Sequence, residues 1–276
     1  MTTIHAAVHA RPAGAHAPAA STARHQALAA VTFAGLSVGL AILGSAAGVS
    51  PALLPFVLAL GPTGIAIAMA WREGDGAVRR LLRTAVTRPP RRLWYAIVAV
   101  PVAWAFAVIG VSLALGDPAT GILAKAVPAI FIVPLVVLIP ALAEEIAWRG
   151  YAVSRLLPSM SPLAAALVLA MPWAILHLFL QLPGQINDQL EIWPTLVSLT
   201  GYSVLITWVF VRTGGSALIA ALLHAGFNGV APLMAQLEVD RTWAMRALFV
   251  AGIAIAVVLV DGVRRRPAAV VPAASR

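Results

Sequence analysis

Ala141-Leu142-Ala143-Glu144-Glu145-Ile146-Ala147-Trp148-Arg149-Gly150 sets two adjacent carboxylates and a guanidinium inside a stretch otherwise suited to hydrocarbon. Of the ten acidic residues in the chain, only Glu144 and Glu145 lie well inside an apolar run, with Asp261 at the edge of another. A charged side chain near the bilayer centre costs about 2.5 kcal/mol or more, so the default reading of this stretch is a functional site. Its partners must then come from other spans.

Outward from that stretch the chain is apolar on all sides. Of 276 residues, 61% are hydrophobic and 11% charged, the mean hydropathy is +0.92, and several apolar runs approach the length of a membrane span. These features predict an all-α polytopic transmembrane bundle with about eight spans and a membrane-embedded polar cavity. A soluble fold would alternate polar and apolar faces, and a β-barrel would show two-residue alternation; the runs do neither. The net charge of +9 is carried by short loops beside spans rather than by one basic face. It therefore sets topology and does not indicate a nucleic-acid partner. Without cysteine the chain has no disulfide, thiol nucleophile or thiolate metal site. The Ala-rich composition, with Arg almost always in place of Lys, suggests a GC-rich bacterial source and hence the plasma membrane.

In chain order, residues 1–26 read as a disordered cytoplasmic tail whose four histidines are solvated rather than ligating. Spans are expected at 28–48 and 51–71, forming a hairpin. Loop 72–92 follows, with arginines at 72, 79, 80, 83, 88, 91 and 92, which places it in the cytoplasm. A third span is expected at 93–115. The apolar region 121–157 contains Pro128, Pro134 and Pro140 and reads as a bent or broken element with its main helix at 134–157. Further spans are expected at 163–182, at 192–211, from the turn at 213–216 to about 233, and at 242–260, followed by Arg264-Arg265-Arg266. Both termini then lie in the cytoplasm, and only Lys125, Arg241 and Arg246 fall on the other side. No internal repeat of the transporter kind is seen.

Helical spacing assigns partners. Glu145 and Arg149 are four apart, with the carboxylate nearer the N-terminus, the favourable order for a self-neutralising pair. Glu144 points about 100° away and has no such partner, which leaves it for chemistry. His177 and His224 are the only histidines beyond the tail, and both fall inside spans. Trp173 precedes His177 by one turn, and Asn228 follows His224 by one turn on the same face. At about 1.5 Å per residue, Glu144, His177 and His224 all lie roughly 15–21 Å from the cytoplasmic end. Singly, each is as readily a packing or bridging residue. Together, a carboxylate, two imidazoles and an amide at one depth supply a general base, a second proton carrier and oxyanion donors for a water-activating hydrolase. There is no His-Glu-x-x-His motif, and Ser203 lacks the following glycine of a Gly-x-Ser-Gly nucleophile.

Glu144-Glu145-x-x-x-Arg149, Trp173-x-x-x-His177 and His224-x-x-x-Asn228 resemble, in order, the three motifs of the CPBP (CAAX protease and bacteriocin-processing, or Abi) intramembrane proteases, related to the type II CAAX prenyl endopeptidase. The second motif carries Trp where Phe is usual. The resemblance implies a membrane endopeptidase with a cytosol-facing cavity, in which Glu144 and His177 activate water, His224 and Asn228 hold the oxyanion, and Glu145, Arg149 and Trp173 shape the site. It divides the chain into N-terminal helices at 27–120, a catalytic core at 121–235, and a last helix with a basic tail at 236–276. The family name includes metalloprotease, and Glu144, His177, His224 and Asn228 could hold Zn2+. Asn is an uncommon zinc ligand, and the expectation is that no cofactor is required. The expected partners are a peptide or membrane-protein substrate and the lipid bilayer. The rival readings are a proton-coupled transporter, since intramembrane Glu, His and Arg also build proton relays, and a non-catalytic scaffold or immunity protein.

Overall fold

Helix α1 (Ala20–Ala46) starts ahead of the expected position 28, so the helix takes in the end of the segment read as a tail. The computed structural model describes residues 20–114, 116, 122–236 and 240–264, all in helices or the turns between them, with no strand among them. The rest of the expected tail, residues 1–19, lies outside the described residues, as do Arg265 and Arg266. Gly48, at a φ of 69°, turns the chain into α2 (Leu54–Glu73), and the expected hairpin is present.

The basic loop contains α3 (Ala77–Arg83) and a 3₁₀ turn at Thr84–Val86. The third span differs from expectation in its first part. Arg92–Val98 is 3₁₀, and only Ala99–Ala114, α4, is α-helical. Next comes the element that carries the two glutamates, and it is not broken at its prolines. Helix α5 (Ile122–Glu145) runs through Pro128, Pro134 and Pro140. Neighbouring helices tolerate such prolines inside a membrane bundle by re-satisfying the freed backbone groups. The irregularity lies further on, where Ile146–Val153 is a π-helix that leads into the short α6 (Ser154–Leu156). At the α-to-π junction the Ala143 carbonyl accepts from Thr63 Oγ1 on α2 at 2.6 Å. π-Helical winding inside an α-helix is rare and is frequently found at functional sites.

Ser161 caps α7 (Pro162–Leu178) by accepting from the Ala164 N–H, with Pro162 in the first turn where its missing N–H is harmless. A 3₁₀ turn, Phe179–Gln181, closes that span. Helix α8 (Ile192–Arg212) ends at Gly214 and Gly215, both at positive φ. Ser216 then accepts from the Ile219 N–H at the start of α9 (Ala217–Gln236) and donates to the Thr87 carbonyl at 2.7 Å. Helix α10 (Asp240–Arg264) completes the described chain.

Among the described residues, six helical segments are long and apolar enough to cross a membrane: Thr22–Ala46, Leu54–Glu73, Arg92–Val111, Pro162–Gln181, Ile192–Arg212 and Trp243–Asp261. They fall at six of the about eight expected positions, and α5 and α9 lie at the other two. The protein is an integral membrane protein, and its large exposed side chains, such as Leu135 and Ile139 on α5 and Leu248 and Leu259 on α10, are apolar as lipid contact requires.

The π-helix is the centre of the bundle, with every residue from Ile146 to Val153 buried. Phe33 of α1 meets Trp148 edge-on and Tyr151 at a tilt, with ring centroids 5.1 and 5.6 Å apart. At the end of α2, Glu73 accepts from Tyr151 Oη at 2.9 Å and from Arg155 Nε at 3.0 Å. Helix α5 makes its most extensive contact with α9, and α8 packs between α7 and α10. Gly201 lets α8 approach α10 closely, because a Cβ there would lie 2.6 Å from Val250 Cγ1 and 3.2 Å from the Val250 carbonyl carbon.

Since that neighbour includes backbone, Gly201→Val is expected to destabilise the protein by about 2 kcal/mol through overpacking, read as a lowered unfolding midpoint in detergent. An unchanged midpoint would show that the helices do not meet at this point.

Candidate active site

Glu145, the last α-helical residue before the π segment, has a side chain wholly removed from solvent. Arg149 Nη1 donates to Glu145 Oε1 at 3.1 Å and stands equally near Oε2, the intrahelical pair expected from the spacing. The sequence did not reveal its second partner. His224 Nδ1 on α9 lies 2.8 Å from Glu145 Oε1. One buried carboxylate therefore joins the π-helix to α9, and Glu145, Arg149 and His224 are all nearly inaccessible.

Trp173 gathers the remaining groups. Its indole Nε1–H donates to Glu144 Oε2 at 2.9 Å. Its ring meets His177 and His224 edge-on, with centroids 5.0 and 5.5 Å away. The Arg149 guanidinium carbon lies 4.8 Å from the ring centroid, a distance at which the ring face attracts the cation. Pro162 and Ser161 start α7 so that Trp173 and His177 fall in its last turns on one face. Trp173, expected only to wall the site, is the side chain about which Glu144, His177 and His224 are arranged. Asn228 is half-buried one turn beyond His224 on α9.

The bonds constrain protonation. A carbonyl can only accept, so His177 Nδ1, 2.8 Å from the Trp173 carbonyl, carries the proton. In the neutral ring this leaves Nε2 with its lone pair. Glu145 occupies Nδ1 of His224, so that ring also acts outward through Nε2. Glu144, half-buried, keeps Oε1 available beside the indole bond. Glu144 and Glu145 are thus separated by environment. Glu145 is sealed between a guanidinium and an imidazole, whereas Glu144 has a single neutral donor.

Among the described residues no group of three or more His, Cys, Asp or Glu side chains converges closely enough to hold a metal ion. A catalytic zinc takes three protein ligands at about 2.0–2.2 Å. Glu144, His177 and His224, as arranged around the indole, are not drawn together into such a set.

Residues 125–230 match the family model described as Rce1-like, type II CAAX prenyl endopeptidase Rce1-like. The matched interval contains Glu144, Glu145, Arg149, Trp173, His177, His224 and Asn228. Over that interval, less than half of the chain, the sequence is similar to the Rce1-like, type II CAAX prenyl endopeptidase family. No curated protein matches the sequence.

Leaving a buried charge without its partner destabilises by about 3–5 kcal/mol. Arg149→Met should therefore unfold at a markedly lower temperature than the parent. Adding Glu145→Gln to it should recover much of the loss, because the buried carboxylate that has lost its guanidinium is then gone. A double variant less stable than Arg149→Met would disprove the pairing.

Proposed function

We propose that this protein is an intramembrane endopeptidase of the CAAX-protease type, hydrolysing a peptide bond of a peptide or membrane-protein substrate with water activated by Glu144 and His177. The observation that carries this reading is the gathering of Glu144, His177 and His224 around the indole of Trp173, inside an apolar bundle. The Rce1-like match over the same residues supports it.

In this reading a water molecule sits between Glu144 Oε1 and His177 Nε2. Glu144 takes one of its protons, and His177 Nε2 accepts a hydrogen bond from the other hydrogen and so directs the oxygen lone pair. Hydroxide adds to the scissile carbonyl carbon, and the carbonyl oxygen becomes an oxyanion. His224 and Asn228 stabilise that charge: an imidazolium held by Glu145 at Nδ1 has Nε2–H to donate, and the Asn228 amide supplies a second donor. When the C–N bond breaks, protonated Glu144 returns its proton to the leaving amine. Glu145 and Arg149 take no proton in this cycle; they hold His224 and the π-helix in place. No step of this reading requires a metal.

Cleavage of a fluorogenic peptide library by purified full-length protein is expected to fall at least about 100-fold in Glu144→Gln and in His177→Ala, with folding retained. It is expected to persist when a zinc chelator is added. Full activity in Glu144→Gln would refute the assignment of the base, and loss of wild-type activity to the chelator would refute the metal-independent mechanism.

A further inference from the structure

The seven arginines from Arg72 to Arg92 have no part in the mechanism above, yet the structure gives their segment a fixed seat. Ala77 and Leu81 of α3 are buried. Contact with the π-helix is tight, since a Cβ on Gly150 would lie 2.9 Å from Thr84 Oγ1 and 3.3 Å from Leu81 Cδ1. The Thr87 carbonyl accepts from Ser216 at the start of α9. The segment thus rests on the two elements that carry Arg149 and His224. Residues 77, 81 and 84 follow helical spacing on this inner side, so residues 79, 82, 83 and 86, at i, i+3, i+4 and i+7, form the opposite face.

That outer face consists of Arg79, Leu82, Arg83 and Val86, all exposed. Leu82 and Val86 lie outside every span, yet are 44% and 73% exposed. The segment joins the end of the span Leu54–Glu73 to the start of Arg92–Val111, which sets it at the level of the lipid headgroups. Trp71, exposed at the end of α2, marks the same level, because tryptophan favours that region. The charge is not balanced from within. Glu73 is engaged by Tyr151 and Arg155, and Asp261 by Arg212 and Trp208. Among the described residues no carboxylate pairs with Arg79, Arg83, Arg88, Arg91 or Arg92. Asp117, Asp188, Glu191, Glu238 and Asp240 fall in the chain where α4 leads to α5, α7 to α8 and α9 to α10, connections that join the opposite ends of the spans.

Arginines alone would suit any acidic partner. Leucine and valine set between them suit a surface with acyl chains beneath its phosphates, as for a helix lying in the membrane interface. Guanidinium meets phosphate oxygens through two parallel hydrogen bonds. We infer that Arg79, Leu82, Arg83 and Val86 form a docking surface for anionic phospholipid headgroups, the arginines holding phosphate and the two apolar side chains meeting the acyl chains. This surface does not depend on the peptidase reading.

The test is lipid competition on purified full-length protein in neutral detergent. Phosphatidylglycerol and phosphatidylcholine with identical acyl chains are added in equal amounts, and the bound lipids are counted by native mass spectrometry. Phosphatidylglycerol should be bound in about tenfold excess or more, and the double change Arg79→Gln with Arg83→Gln should lower that ratio at least about fivefold. Both residues are exposed, so folding should be kept; should the pair fail to fold, each single change is expected to lower the ratio about threefold. Arg91→Gln with Arg92→Gln should lower it less, and Leu82→Ser with Val86→Ser should reduce the binding of both lipids. Equal binding of the two lipids, a ratio unchanged by the Arg79 and Arg83 substitutions, or an equal fall in the Arg91 and Arg92 variant would overturn the surface. Displacement of the bound phosphatidylglycerol by inorganic phosphate or by an acidic peptide at the same concentration would mark a soluble partner and overturn the lipid assignment.

Discussion

A carboxylate sealed inside an apolar bundle must be neutralised where it stands, and Glu145 is such a carboxylate. Arg149 alone could balance its charge, but the Oε1 contact to His224 Nδ1 makes the neutralisation a link between helices. Helix α9 is held against the element bearing the glutamates by the same group that orients one of the site imidazoles. Packing and site geometry are here one constraint. A change in the Glu145 pairing therefore alters both the stability of the bundle and the direction of His224 Nε2.

The backbone serves the same arrangement. The change from α to π winding begins at Ile146, immediately after the two glutamates, and the π segment is buried throughout. The Thr63 hydroxyl satisfies the Ala143 carbonyl at the junction, and Glu73 fastens the far end through Tyr151 and Arg155. The irregular winding is thus supported at both ends. Trp173 faces it from α7, bonding Glu144 and contacting both imidazoles. A phenylalanine at this position could provide the wall but not the N–H that holds Glu144.

Much of this was legible in the sequence because membrane spans write plainly. Apolar runs gave the helices, and the i, i+4 rule gave the Glu145–Arg149 pair, since both depend on local geometry. The Glu145–His224 bond joins residues far apart in sequence, and no spacing rule reports which faces of two helices meet. The prolines of α5 suggested a break that neighbouring helices make unnecessary, while the π segment leaves no proline or glycine signature at its start. The 3₁₀ turns of Arg92–Val98 were hidden in the same way inside a run that reads as uniformly apolar.

The central claim is that two adjacent glutamates have opposite duties, Glu145 holding the structure together and Glu144 left free of that duty. The most direct measurement is the unfolding free energy of Glu144→Gln and of Glu145→Gln, side by side in one detergent. The account predicts a loss of about 3–5 kcal/mol for Glu145→Gln, which strands Arg149, and less than about 1 kcal/mol for Glu144→Gln, whose amide oxygen can still accept from the Trp173 indole. Equal losses, or a larger loss for Glu144→Gln, would contradict it.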